Sequence, residues 1–262
     1  MPVPGTETFA NGLFVDVGGG AFITAATLES LGRPVALMAT IPAEPFGTII
    51  RQDAVFRRID SSLCQPAPAG VDPQVTVAVT TPDDRAFLSR RAGPALPSLR
   101  AEHFDGVTHL HIGELSSLVE HPQLIPLARQ AGASISLDCG WDVDLIQSGT
   151  DLEELIRSVD VFLPNDGEFD LLRNAGINPE AAPLTVVKSG ADGAYLIRDG
   201  ERYVTDAPCV SVVDTTGAGD AFNGGFIDAW LKGAGDVECL EASVASGSVV
   251  VQFPGGTGAL KR

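Results

Sequence analysis

Short apolar runs at 34–41, 107–112, 133–138, 159–163 and 184–188 read as strands. Between them, 46–59, 122–131, 152–158 and 168–174 place apolar residues at helical spacing and read as helices. This alternation predicts a mostly parallel sheet with helices on both faces, the α/β class. Ligands of such sheets bind at the carboxyl ends of the strands. From 184 onward a series of strands is expected, broken by turns at 190–193 and 198–200. Two segments differ. Residues 8–17 and 74–90 alternate with period two, clearest at Val75, Val77 and Val79, with a turn at Pro82-Asp83-Asp84. They are expected to pair as a small antiparallel sheet apart from the main core.

The most informative stretch is Asp214-Thr215-Thr216-Gly217-Ala218-Gly219-Asp220-Ala221-Phe222. The run before it, Cys209-Val210-Ser211-Val212-Val213, reads as a short buried strand. After it, Phe222, Phe226 and Trp230 mark one face of a helix. A glycine loop thus meets a helix N-terminus, where free N–H groups and the helix dipole favour an anion such as phosphate. Asp220 would repel that anion as a ligand, so it is better explained as a base acting on whatever attacks the phosphate. A plainer alternative is that Asp220 caps the helix and the glycines make a tight turn. A dinucleotide fingerprint fits poorly, because Phe222 occupies the third glycine position and 237–251 reads as a helix. The P-loop pattern is absent from the chain.

Composition narrows the class. The chain has 262 residues, 44% of them hydrophobic and 19% charged, which suits one large well-cored domain. A net charge of -17 argues against nucleic acid as a partner. No apolar run approaches the length of about 18 residues that a membrane span needs. The first eight residues lack the basic and apolar regions of a secretory signal, so the cytoplasm is the expected compartment. The cysteines at 64, 139, 209 and 239 form no C-x-x-C pair and are expected to be reduced. His109 and His111 alternate in their run and read as strand surface, with a metal site as the minor alternative.

Other candidate residues fall at strand ends. Asn165 and Glu168 form a capping-box pattern, and a carboxylate there suits water-mediated Mg²⁺ as well. The loop Lys188-Ser189-Gly190-Ala191-Asp192-Gly193 reads either as a hairpin turn or as a nucleotide-flanking loop with Lys188 as a point charge. Asp138 also ends a strand, but alone says little. Gly18-Gly19-Gly20 precedes a helix, which implies either close approach of a ligand or a tight chain crossing.

In this order, these segments resemble the ribokinase-like (PfkB-type) carbohydrate kinase family along nearly the whole chain. The signature D-T-T-G-A-G-D-A-F stands unaltered at 214–222, behind Glu44-Pro45-Phe46-Gly47, Asn165-x-x-Glu168 and Lys188-x-Gly190-x-x-Gly193. The resemblance implies one ribokinase-like domain over 1–262, with a β lid from about 8–17 and 74–90 that also makes a homodimer. It implies transfer of the γ-phosphoryl group of ATP to a hydroxyl of a sugar or sugar-like substrate. Asp220 would be the general base, and the N–H groups of Gly217, Ala218 and Gly219 the anion hole. Asn165, Glu168, Lys188, Gly190 and Gly193 would serve the nucleotide, with Mg²⁺ held near Glu168 through water. Gly19 and Gly20 would join Asp220 at the substrate, and Asp214 and Thr216 would hold a monovalent cation such as K⁺.

Two departures qualify the resemblance. Family members usually begin with a strand ending in a sugar-gripping aspartate, and that strand is expected to be missing here; a late start codon would account for it. Ile23 replaces an asparagine that commonly contacts sugar. The alternatives are therefore a nucleoside kinase, or a non-catalytic descendant that binds nucleotide or metabolite.

Overall fold

The computed structural model describes residues 5–7, 9, 12–68, 70–71, 74–80, 85–91 and 93–260. Along the chain, α1 (Gly20–Ser30) leads to β1 (Thr40–Ile41), α2 (Phe46–Phe56) and β2 (Gln65–Pro66). The hairpin β3 (Val75–Thr80) and β4 (Arg85–Arg90) follows. Then come β5 (His109–Ile112), α3 (Leu115–Glu120), α4 (Leu124–Gln130), β6 (Ser134–Asp138), α5 (Val143–Ile146) and α6 (Leu152–Arg157). The chain continues through β7 (Val161–Leu163), α7 (Asp166–Asn174), β8 (Leu184–Lys188), β9 (Ala194–Arg198) and β10 (Glu201–Thr205). It closes with α8 (Ala218–Leu231) and α9 (Asp236–Val250).

The main sheet has the order β10-β9-β8-β7-β6-β5. Strands β5 to β8 are parallel, and the turns after β8 and β9 reverse the chain into two antiparallel strands. Parallel strands need both faces covered, which is why β7 is apolar and buried throughout. Alternation sorts its side chains between two cores. Phe162 packs with Leu115, Leu118, Leu137 and Leu172 beneath the helices of one face. Val161 and Leu163 pack with Phe222, Phe226 and Leu240 beneath α8 and α9. On α8, a Cβ at Gly224 would lie 2.7 Å from Thr27 Cβ, so glycine there lets α1 cross closely. A third cluster, with Val17, Phe22, Leu37 and Ile59, belongs to the N-terminal part.

The sequence reading holds for α2 and for the series from β5 to β10, with ends trimmed by a few residues. It fails in three places. Only Thr40 and Ile41 of the expected strand 34–41 form a ladder, with β2, plus an isolated bridge from Ala36 to Asp60. Of the expected lid strand 8–17, residues 8, 10 and 11 lie outside the described residues, and 12–17 form no ladder. Leu13 and Phe14 are 88% and 82% exposed. Among the described residues the antiparallel pairing lies within 74–90, as β3 against β4, with the turn 81–84 outside them. Third, Cys209–Val213 is no buried strand: Val212 and Val213 are 59% and 60% exposed. An apolar run becomes a strand only where a ladder partner waits, and this one lies along a cleft instead.

Among the described residues β5 is the edge of the main sheet, and no strand pairs with its outer side. Beyond it lies the cleft, whose far wall includes 34–41. No helix of the described residues is long and apolar enough to cross a membrane.

Candidate active site

Every site residue singled out from the sequence lines one continuous cleft of about 3310 Å³ at the carboxyl ends of β5 to β8. Its floor is the turn that starts α8. Gly217 is left-handed, at φ 76°, and a Cβ there would lie 2.6 Å from Gly256 Cα. Only glycine lets these two chain segments touch in that conformation. Asp214 holds the turn from outside, its carboxylate accepting from the Thr216 and Gly255 N–H groups at 2.9 Å each. The first N–H groups of a helix have no intrahelical partners. That of Ala218 reaches back to Thr215 O at 3.3 Å, whereas those of Gly217, Gly219 and Asp220 have no hydrogen-bond partner among the described residues. Open N–H groups at a helix start favour a bound anion.

Asp220 is not the cap of this helix. Gly217 occupies that position, and no side chain makes a capping hydrogen bond. The plainer alternative for Asp220 is thereby removed. The Asp220 main-chain carbonyl accepts from Thr24 Oγ1 at 3.0 Å, which fixes α8 to α1. A Cβ at Gly20 would lie 2.9 Å from Asp220 Oδ1, so the glycine start of α1 gives the carboxylate its room. Gly20 also abuts Gly113, where a Cβ would lie 2.8 Å from Ala21 N, so the tight crossing is realised too. Burial pushes the Asp220 carboxyl up to about 6; the negative charge of Asp138 adds to this and Lys188 opposes it.

The capping box at α7 forms as the spacing predicts. Asn165 N–H donates to Glu168 Oε2 at 2.8 Å and Glu168 N–H to Asn165 Oδ1 at 2.9 Å. Glu168 is buried at the cleft wall, and desolvation, with Asp138 next, pushes its carboxyl up to about 7. The 188–193 segment is a tight hairpin turn, with Ser189 N–H donating to Gly193 O at 2.9 Å. Lys188 stands at the start of this turn, where β8 ends. Its ammonium lies beneath Gly219 and is ion-paired with Asp138 at 2.9 Å.

Asp138 ends β6 as the sequence places it, but its partners were not legible from local patterns, nor was Asn223, fully buried on α8. Trp141, beside Gly167 at the cleft, was also missed. Ile23, in the position expected to contact sugar, is buried and packs against the anion turn, 3.1 Å from a Cβ at Gly217. His109 and His111 are not simple strand surface. His109 bonds Ser134 and Ser136 at 2.8 Å each, His111 bonds Ser136 at 2.9 Å, and His109 stacks edge-on to Trp230. Burial holds them neutral, at about 3 and about 4. Among the described residues no group of three His, Cys, Asp or Glu side chains converges as a metal site. A divalent ion here needs phosphate and water to complete its shell. The expected monovalent site has one supporting feature: Thr216 Oγ1 is buried without a hydrogen-bond partner.

A parallel sheet whose strand ends converge on a glycine turn with open N–H groups, beside a carboxylate, has the chemistry of a phosphate site. Residues 11–261 match the pfkB family carbohydrate kinases, and the chain belongs to that family. It is 39% identical over 97 residues to an uncharacterized sugar kinase of Archaeoglobus fulgidus, covering 34% of this chain and 38% of that one. It is 28% identical over 249 residues to an ATP-dependent ribose-1-phosphate kinase of Halopiger xanaduensis, covering 88% and 79%. The matched stretch thus spans under half of the first relative and about four-fifths of the second. Among solved structures, a putative ribokinase II of E. coli in complex with ATP and Mg²⁺ superposes with a TM-score of 0.78 at 24% identity, covering 98% of this chain and 89% of that one. The fold is ribokinase-like.

Proposed function

We propose that this protein transfers the γ-phosphoryl group of ATP to a hydroxyl of a sugar or sugar-like substrate. The observation that carries the proposal is Asp220, held off the capping position with its carboxylate beside open N–H groups of a helix start. A sugar hydroxyl is a very weak acid, so Asp220 takes its proton as the oxygen attacks phosphorus. The N–H groups of Gly217, Ala218 and Gly219 receive the charge of the transferred group; Ala218 must release its long contact to Thr215 O to do so. Positioning and charge stabilisation are the main demands of phosphoryl transfer, and both lie in one turn.

Asn165 and Glu168 are the residues that would order Mg²⁺ and nucleotide phosphates, with Gly190 and Gly193 flanking the nucleotide. Bound there through water, Mg²⁺ supplies neutralisation of phosphate charge. Asp214 and the orphan hydroxyl of Thr216 would hold the monovalent cation. Gly19 and Gly20 border the acceptor. The hairpin of β3 and β4 exposes Val77, Phe87 and Leu88, and we assign it as the lid and as a dimer surface. The proposed compartment is the cytoplasm, where ATP and sugars are supplied.

The test is ADP release across a panel of sugars and nucleosides with Mg²⁺ and K⁺ present. Release with a sugar supports the proposal, and release only with a nucleoside narrows the acceptor class. ATP binding without release for any acceptor would establish the second reading, a binding-only descendant, which the buried Ile23 and the unpaired β5 edge favour.

A further inference from the structure

Three side chains from three elements meet beneath the anion turn. Lys188 ends β8, Asp138 ends β6, and Asn223 lies on α8 three residues beyond Asp220. The Lys188 ammonium donates to both carboxylate oxygens of Asp138, at 2.9 and 3.0 Å, and to Asn223 Oδ1 at 3.3 Å. Asn223 Nδ2 donates to the same carboxylate, which closes the ring. These contacts hold the Lys188 ammonium within the ring. Its stem runs under Gly219, with Cδ 3.6 Å and Nζ 3.7 Å from the position of a Cβ there. The positive charge is thus held below the first turn of α8, with the side chain 11% exposed at the cleft.

A buried ion pair is a weak device for stability, because desolvation opposes the Coulomb gain. An apolar trio would fasten α8 to the sheet as well. What an apolar trio cannot do is balance charge next to a carboxylate base. Asp220 faces Asp138 from β6, Lys188 from β8 and Glu168 from α7. His111 on β5 is held neutral, and α1 contributes Gly20 and Thr24, which do not titrate.

We propose that Asp138, Lys188 and Asn223 are positioning residues that form a charge-balanced clamp under Asp220, with Asn223 locking the ammonium so that the two opposite charges stay matched. The inference rests on Asp220 being the general base. Its signature is opposite displacement of the acid limb of kcat/KM against pH. Lys188→Met leaves the Asp138 charge unopposed and moves the limb up, on the order of one pH unit. Asp138→Asn leaves the ammonium unopposed and moves it down by a similar amount. The double variant returns the limb close to its original place.

The experiment is the pH profile of the full chain and these three variants, with Asp220→Asn as control. Opposite shifts that cancel in the double variant support the clamp. Equal losses of kcat with an unmoved limb would reduce the trio to a structural fastening and overturn it. Asp138→Asn changes no volume, so if Lys188→Met does not fold, that variant alone decides: a downward limb supports the clamp, an unmoved or raised one overturns it. Full turnover in Asp220→Asn would instead overturn the base assignment, which separates the two failures.

Discussion

The floor of the cleft and its N-terminal wall are built on opposite principles. The floor, from β6, β7, β8 and α8, pairs a buried carboxylate with an ammonium and buries its apolar side chains. The wall, from 12–41 and the β3–β4 hairpin, leaves Leu13, Phe14 and Leu88 in solvent and faces an unpaired sheet edge. The floor and the start of α7 carry the groups proposed for phosphoryl transfer, and the wall is the side proposed to meet the acceptor.

The largest expected effect breaks the floor chemically. Asp220→Asn should lower kcat by about a hundred- to ten-thousandfold with nucleotide affinity little changed, checked by steady-state kinetics and ATP titration. Near-normal turnover would remove the base from the mechanism. The next effect breaks the floor physically. Leu163→Ala, at a fully buried position of β7, should cost about 2–5 kcal/mol in denaturant unfolding. A cost below about 1 kcal/mol would mean the floor is as loosely packed as the wall.

A smaller effect follows from the isolation of the base. Asp220 has its carboxyl pushed up to about 6, above the ordinary carboxylate value of about 4. The folded state therefore holds its proton more tightly, and stability falls as pH rises from about 4 to about 6. Asn carries no such penalty. The variant should melt higher than the parent at pH 7.5, and this gain should vanish near pH 4. An equal difference in Tm at both values would contradict the raised carboxyl.

Much of the floor was legible in the sequence because its constraints are local. The turn at 214–222 needs glycine at a positive φ and at a close chain contact, so residue identity reports geometry directly. The strand at 161–163 was legible because a parallel strand buried on both faces is apolar throughout, and those at 134–138 and 184–188 because their apolar residues sit between helical segments. The partners of Asp138 and the place of Asn223 were not, since the bonds that give them meaning join residues 50, 35 and 85 positions apart. The segments 34–41 and 209–213 misled for a different reason. Their composition suits a strand, but a strand also needs a neighbour, and composition does not name one.

The smallest predicted effect tests the wall by its insensitivity. Leu13→Ser and Leu88→Ser replace large side chains that are mostly exposed, so each should change stability by no more than about 0.5 kcal/mol. The informative readout is their effect on assembly and acceptor binding. If the hairpin is the dimer surface, Leu88→Ser should weaken self-association in sedimentation while monomer stability stays put. If Leu13 borders the acceptor side of the cleft, its serine variant should raise the acceptor KM and leave kcat and the KM for ATP unchanged. A large loss of stability from either variant would show these side chains buried in solution, and the contrast between floor and wall would then be one of occupancy rather than of design.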